Sequence, residues 1–202
     1  MKKEITEFIG TFFLVLSVGM TGDPLTIGAT LMVMVYMGRH ISGAHYNPAV
    51  TLAMLLDKQM SAKEAGFYII AQLLAAIFAS AVVLWMAGAT FALAPNSEYL
   101  GAAPYVAEIL GSFALVLVIF NVEISKETKG NSFYGLAIGF VFFAAVSMLG
   151  GISGGAFNPA VGIGPWFLDM IEGEGVSPIL IYIIAPIIGG LIAKVVFRLQ
   201  ED

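Results

Sequence analysis

Two copies of one nine-residue segment carry the polar residues whose types and spacing could do chemistry. Ser42–Val50 reads SGAHYNPAV and Ser153–Val161 reads SGGAFNPAV, so six of nine positions are identical. Each contains an Asn, whose amide donates and accepts hydrogen bonds, directly before a Pro, which is preorganised for the first turn of a helix. In a soluble protein this would be an ordinary entry into a helix. The two motifs are Asn47, Pro48, Ala49 and Asn158, Pro159, Ala160.

The similarity extends beyond these segments and divides the chain into two repeats. Twelve of 26 positions coincide when Leu25–Val50 is laid over Leu136–Val161 without a gap. Upstream of each copy, Glu7 and Glu108 occupy matching positions in similar apolar surroundings. A repeated unit of this kind predicts a repeated structure. We expect one domain, 1–202, built from repeat 1 (1–90), a connecting loop (91–100) on the extracellular side and repeat 2 (101–200).

Composition indicates that the elements holding these segments cross a membrane. The 202 residues are 59% hydrophobic and 11% charged, whereas soluble domains carry roughly 25% charged residues. A membrane-spanning helix needs about 20 mostly apolar residues. The sequence therefore predicts an all-α membrane protein with six such helices, at about 4–21, 25–41, 61–88, 103–124, 132–150 and 176–198.

The positions of charged residues predict the orientation. With six spans and the N-terminus inside, all nine Lys and Arg residues fall on the cytoplasmic side, as the positive-inside rule requires. We expect both termini to be cytoplasmic. The charged residues on the opposite side are all acidic: Asp23, Glu98, Asp169, Glu172 and Glu174.

Three spans in each repeat force the two repeats to insert with opposite orientations. Such inverted repeats are common in transport proteins. The two motifs then enter from opposite faces, and we expect Pro48–Asp57 and Pro159–Asp169 to be half-helices that begin near the midplane. Non-helical backbone survives at that depth only when it is buried in protein or lines water, which predicts a pore.

The paired Asn-Pro-Ala motifs, their Ser-Gly flanks and the matched Glu7 and Glu108 resemble the aquaporins, or major intrinsic proteins. The resemblance covers nearly the whole chain. It implies a right-handed bundle of six tilted transmembrane helices plus two half-helices, with one pore per subunit of a homotetramer. The absence of targeting segments and tails favours a prokaryotic plasma membrane.

In this reading, Asn47 and Asn158 donate hydrogen bonds to water at the pore centre. Backbone carbonyls of the extended segments would accept hydrogen bonds along the path, and the positive ends of the two half-helices would oppose cations. Glu7 and Glu108 could relay protons, but they lie in opposite leaflets, so support of the re-entrant backbone is the favoured role. His45 could sense pH or simply stabilise its loop. The carbonyls are those of Gly43, Ala44, His45, Gly154, Gly155 and Ala156.

The selectivity filter departs from the water-specific pattern. Transfer by spacing from the motifs assigns it to Ile27, Val146, Gly155 and Val161. Water-specific members of the family typically have a bulky aromatic residue, a His, a small residue and an Arg at these positions. The run Asn-Pro-Ala-Val followed by Gly164-Pro165 is instead similar to tonoplast-type members. We expect a wide apolar filter that passes water and small neutral solutes such as ammonia, urea or glycerol; the rival outcome is a gate that dewets.

Two other classes of protein stay open at this point. A proton- or ion-coupled secondary transporter would need an ionisable or ion-binding group at the midplane, where only the two Asn residues are available. A poorly conducting or scaffold protein could share the same fold. No clustered nucleophile, base or ligand set predicts an enzyme. We expect no cofactor, no metal and no nucleic-acid partner; the lipid bilayer and the permeant solutes are the partners.

Overall fold

The chain folds into helices throughout the part that the structure, a computed structural model, describes: residues 1–99, 101–172 and 178–201. The acidic residue Glu174 lies outside these ranges. No strand occurs within them. The helices are α1 (Lys2–Thr21), α2 (Pro24–Ser42), α3 (Pro48–Leu56), α4 (Ala62–Ala87), α5 (Ala103–Glu123), α6 (Tyr134–Ser153), α7 (Pro159–Glu172) and α8 (Ile179–Glu201).

Five of the six long helices are long and apolar enough to cross a membrane. The exception among the described residues is α2, which has 19 residues but carries Arg39 and His40 in its last turn. At 1.5 Å per residue, α2 is about 28 Å long, close to the thickness of the hydrocarbon core. Its position between α1 and α6 in the bundle makes it the sixth span predicted from the sequence.

Local sequence explains where the helices turn toward the pore. α2 and α6 end at Gly43 and Gly154, both in the left-handed conformation, with φ of 88° and 97°. Their N–H groups donate to the carbonyls of Arg39 and Gly150, which closes the last helical turn. Gly adopts this conformation without the steric penalty of a side chain. The chain can therefore reverse at the same point of both repeats.

The packing of the helices follows the repeat and interlocks its two halves. α1 packs on α4 and α5 packs on α8, while α2 crosses α6. At that crossing Gly28 and Gly139 face each other so closely that a Cβ on either would lie 2.7 Å or less from the other's carbonyl oxygen. Each half-helix also packs on the other repeat: α3 contacts α8, and α7 contacts α4. Neither repeat is complete without the other.

The two half-helices are unequal in length, which corrects one expectation. α3 has nine residues and ends at Leu56, one residue before the predicted end. α7 has 14 residues and continues through Asp169, the predicted end, to Glu172. Pro165 lies inside α7 without ending it, and the next glycine in the sequence is Gly173. The residues added beyond Asp169, which are Met170, Ile171 and Glu172, are exposed, so burial against the bundle does not account for the additional length.

Ion pairs hold the helices together at one end of the bundle, which we call the basic end. It contains the starts of α1 and α4 and the ends of α2, α3, α5 and α8. Arg198 of α8 pairs through two nitrogens with Asp57, which follows α3 and is almost fully buried. The other pairs are Lys3 with Glu64 and Arg39 with Glu123.

Candidate functional site

The two half-helices meet N-terminus to N-terminus through reciprocal hydrogen bonds of their Asn residues. Asn47 Nδ2 donates to the carbonyl of Phe157 at 3.0 Å, and Asn158 Nδ2 donates to the carbonyl of Tyr46 at 3.0 Å. Each Oδ1 accepts the N–H two residues later, at 2.8 and 2.9 Å, and so caps its own half-helix. An amide nitrogen has two hydrogens, so each Asn keeps one donor available. Both side chains line a narrow central cavity.

The backbone before each Asn adopts a strained conformation at matching positions. Tyr46 and Phe157 have φ of 51° and 47°, and Ala44 has φ of 53° where its counterpart Gly155 has 72°. Left-handed φ at a non-glycine residue costs about 1–3 kcal/mol and persists only when surrounding contacts impose it. In this protein, buried carboxylates and closely packed aromatic rings impose it.

The carboxylate of Glu7 holds the first segment. Its Oε1 accepts from Ser42 Oγ at 2.6 Å and from the N–H of His45 at 3.0 Å. Its Oε2 accepts from the N–H of Tyr46 at 2.7 Å and from Gln72 Nε2 at 2.8 Å. Glu7 is fully buried, so four donors compensate the loss of water around its charge.

Glu108 makes the equivalent contacts in the second segment. Its Oε1 accepts from Ser153 Oγ at 2.7 Å and from the N–H of Ala156 at 3.0 Å, and its Oε2 accepts from the N–H of Phe157 at 2.6 Å. The residue is fully buried too. The contacts of both carboxylates are those of backbone support, and both are committed to donors in separate halves of the bundle.

Close approach of aromatic rings to glycines completes the support of the backbone. The ring of Tyr46 lies against Gly10, where a Cβ would come within 2.1 Å of Tyr46 Cε1. The ring of Phe157 lies against Gly111 in the same way, with a distance of 2.3 Å to Cδ1. The Tyr46 hydroxyl additionally donates to the carbonyl of Met34 at 2.9 Å. Only glycine at these two positions leaves room for the rings.

The hydrogen bonds of the two segments leave a defined set of carbonyls free. The Tyr68 and Tyr182 hydroxyls donate to the carbonyls of Ser42 and Ser153, at 2.7 and 2.5 Å. The Asn residues take the carbonyls at the other end of each segment. Within the described ranges, the carbonyls in between accept no hydrogen bond from protein. They belong to Gly43, Ala44, His45, Gly154, Gly155 and Ala156.

Two cavities follow one another from the basic end to the Asn pair. The first, here called the vestibule, offers about 220 Å³ to the centres of water-sized molecules and is lined by Lys3, Glu64 and Tyr68 among others. The second, here called the narrow passage, offers only about 10 Å³. His45 lines both cavities, and its Nδ1 lies 3.1 Å from Thr51 Oγ1. His45 therefore stands at the junction of the wide and narrow parts.

The four expected filter residues lie on the other side of the Asn pair. A Cβ on Gly155 would be 3.6 Å from Val146 Cγ1, so these two positions are neighbours. Ile27 and Val161 are buried in the same apolar cluster, and Val146 packs against it. The connecting loop covers this region: Asn96 donates to the carbonyls of Ile152 and Gly151. No charged residue belongs to this quartet.

Four residues that support the site were not predicted from the sequence: Gln72, Thr51, Tyr68 and Tyr182. Gln72 is fully buried and donates to Thr51 Oγ1 at 3.0 Å as well as to Glu7. A Gln inside an otherwise apolar span was the available signal, because an uncharged polar residue there needs an internal partner. The two tyrosines each begin a run Tyr-Ile-Ile-Ala that occurs once in either repeat, but the run does not indicate the role of the hydroxyl.

Comparison with known proteins agrees with this geometry. Residues 1–197 match the family described as Major intrinsic protein. The chain is 35% identical to "Glycerol uptake facilitator protein-like 6" of Lactiplantibacillus plantarum, over 99% of this chain and 98% of that protein. It is 31% identical to "Aquaporin AqpM" of Methanothermobacter thermautotrophicus, over 98% and 96% of the two chains.

A solved structure shows the same fold. The aquaglyceroporin of Plasmodium falciparum superposes with a TM-score of 0.85 at 22% identity, covering 97% of this chain and 94% of that one. In the described part of the chain, eight helices form an inverted repeat whose two half-helices meet through paired Asn residues, and the family match covers nearly the whole length. The chain is an integral membrane protein and belongs to the major intrinsic protein family of passive channels for water and small solutes.

Proposed function

We propose that this channel passes water together with small neutral solutes, such as ammonia, urea or glycerol, through a wide apolar filter. The observation that carries the proposal is the composition of the filter quartet: Ile27, Val146, Gly155 and Val161. Three aliphatic side chains and one glycine provide neither a cationic donor nor an aromatic wall. Selection at the filter therefore depends on the size of the solute and on the hydration free energy that the solute loses when it leaves water.

The free carbonyls and the paired Asn residues support conduction of molecules that hydrogen-bond. A molecule that passes the quartet meets three unpaired carbonyls in each segment and one available donor on each Asn. Water, urea and glycerol can exchange hydrogen bonds along such a path. A bare ion would lose its hydration shell, and a cation would also meet the positive ends of α3 and α7.

The contacts of the buried carboxylates favour a passive channel over a proton-coupled transporter. Glu7 and Glu108 each accept from three or more donors, and they lie in different repeats. Within the described residues no group of three His, Asp or Glu side chains could hold a metal ion. The midplane groups on the path are the two Asn amides.

Stopped-flow light scattering of proteoliposomes tests the proposal. Vesicles containing the channel should shrink in an impermeant osmolyte and then recover in urea or glycerol, with reflection coefficients well below one. Reflection coefficients near one for every solute would refute the permissive filter. Absence of water flux above that of empty vesicles would favour the dewetted gate, and a saturable, pH-dependent flux would favour the transporter.

Matched variants connect the measurement to the quartet. Ile27→Phe should restrict urea and glycerol more than water, because an aromatic ring narrows the filter while leaving the hydrogen-bonding path intact. Val161→Arg tests the effect of a cationic donor at the fourth position. Circular dichroism and gel filtration in detergent confirm that each variant is folded before its flux is interpreted.

The oligomeric state and location belong to the same proposal. The channel is a homotetramer with one pore per subunit, in the plasma membrane of a prokaryote, with both termini in the cytoplasm. The basic end then faces the cytoplasm, in keeping with the positive-inside rule. Native mass spectrometry tests the tetramer, and protease access to a tag after Met1 in sealed vesicles tests the orientation.

A further inference from the structure

The internal repeat maps the filter quartet onto a second set of residues on the other side of the Asn pair. The two motifs are 111 positions apart, since Asn47 matches Asn158. The same offset matches the members of the filter quartet to four residues that we call the inner quartet. Three of the four residue types are identical, and Gly155 is replaced by Ala. The inner quartet is Val35, Ala44, Val50 and Ile138.

Three members of the inner quartet line a part of the path that is much narrower than the vestibule. Ala44, Val50 and Ile138 all line the narrow passage, together with other aliphatic residues and the two Asn side chains. Val35 is buried in the same apolar cluster. About 10 Å³ is open there to the centre of a water-sized molecule, against about 220 Å³ in the vestibule. A space of roughly 10–15 Å³ on this measure holds one water molecule.

The single difference between the quartets narrows the inner one. Ala44 adds a methyl group at the position where the outer quartet has Gly155. This Ala is retained although its φ of 53° is a conformation that suits glycine better. Its side chain is 7% exposed, and it borders the passage next to His45 and Val50. The inner quartet is thus equally apolar and has one methyl group more.

We propose that the inner quartet, rather than the filter quartet, limits the size of the solute that passes. The channel has two apolar constrictions of nearly the same composition on either side of the Asn pair, and the one next to the vestibule is the tighter. Urea and glycerol pass the filter quartet readily and are slowed at Ala44 and Val50, so the inner quartet sets the rate at which these solutes cross. This inference rests on the proposed permissive function of the outer filter.

Three substitutions test the order of the two constrictions. Ala44→Gly gives the inner quartet the composition of the outer one, and it relieves the strained φ, so the fold is preserved. Val50→Ala and Val161→Ala make the same chemical change at matching positions of the inner and outer quartets. Rates of water, urea and glycerol flux are measured in proteoliposomes at equal protein content, after gel filtration and circular dichroism of each variant.

Both inner substitutions should raise the rates of glycerol and urea flux roughly tenfold, because one methyl or methylene group has about this effect at a close-fitting apolar site. Val161→Ala should change these rates less than twofold. The reverse order, or unchanged solute rates in both inner variants, would overturn the inference.

The same measurements separate this inference from the function on which it rests. If the unmodified channel passes water but neither solute, the permissive function fails. The inner quartet is then judged by whether Ala44→Gly or Val50→Ala admits urea. Admission of urea by either supports an inner constriction, and continued exclusion by both overturns it.

Discussion

The two re-entrant segments have the same backbone but are supported by different side chains. Both reverse at a left-handed glycine, both have left-handed φ before the Asn, and both use a buried Glu from the first helix of their repeat. The first segment adds a polar network of His45, Thr51 and Gln72. At the matching positions of the second stand Ala156, Gly162 and Pro186.

This difference shows which features the function requires of both halves. The strained backbone demands a carboxylate acceptor in each half, because two or more N–H groups point at one place. The additional polar residues serve only the side that contains the vestibule, where His45 and Tyr68 border a wide cavity. The second segment can be filled with apolar residues and closed by the connecting loop.

The largest effect is expected from removing the carboxylates. Glu7→Ala and Glu108→Ala each leave several buried donors without a partner, which should lower the free energy of unfolding by about 3–5 kcal/mol. Glu7→Ala should cost more, because Glu7 has a fourth donor in Gln72. Thermal melting in detergent, followed by circular dichroism, measures both. Equal losses would contradict the stated asymmetry between the halves.

A smaller effect is expected from the glycines that receive the aromatic rings. Gly10→Ala and Gly111→Ala place a methyl group about 2 Å from a ring atom and should destabilise the fold by about 1–3 kcal/mol. Gly10→Ala should be worse, since the hydroxyl of Tyr46 is held by the Met34 carbonyl and its ring cannot withdraw. Gly66→Ala is the matched control, because no atom lies within 4 Å of its Cβ position.

Gln72→Leu should leave Glu7 with three donors, the number that Glu108 has. It removes one donor from Glu7 and one from Thr51, with an expected loss of about 1–2 kcal/mol. In this background Glu7→Ala should cost no more than Glu108→Ala does in the unmodified chain. A double-mutant cycle measures the coupling, and additive losses would show that Gln72 does not support Glu7.

The smallest effect concerns the ion pair at the basic end. Burial raises the pKa of Asp57, but hydrogen bonds from Arg198 and Gln59 lower it further, so its pKa lies below the usual range. A lowered pKa stabilises the fold above the ordinary carboxyl pKa, and this contribution is lost as the pH falls through the lowered value. Asp57→Asn should cost about 1 kcal/mol at neutral pH, because Arg198 is partly exposed.

The measurement for this pair is the melting temperature as a function of pH. The difference between Asp57→Asn and the unmodified channel should be constant at neutral pH and disappear in acid. Asp23→Asn provides the comparison at the other end, since Asp23 also has a lowered pKa, caused mainly by hydrogen bonds from Thr26 and not by an ion pair. A difference that grows in acid would contradict the assignment.

Much of the fold could be predicted because the repeat constrains it. Five of the six predicted spans are confirmed by hydropathy and length together, and α2 by its length and position. The all-helical class and the family are confirmed as well. The length of α7 was predicted wrongly: the expected end was Asp169, because the two half-helices were taken to be similar in length, whereas α7 continues to Glu172.

Residues of the site could be predicted where a local backbone feature requires a particular residue type. They could not be predicted where side chains from distant helices contact each other. Asn47 and Asn158 were found from their position before Pro. Their bonds to the opposite segment depend on how α3 and α7 face each other, which no local pattern specifies. The role of Gln72 depends on the packing of α4 against α1 and α3. The assignment of the filter quartet stays a prediction that flux measurements decide.

The interlocked packing of the half-helices has a consequence for biosynthesis. α3 packs on α8, which begins at Ile179, so α3 is synthesised long before the helix that covers it. Within its own repeat, α3 contacts only α4, so α4 is the partner available to it early in translation. The wall of the pore is therefore incomplete until α8 has entered the bilayer beside α3 and α5.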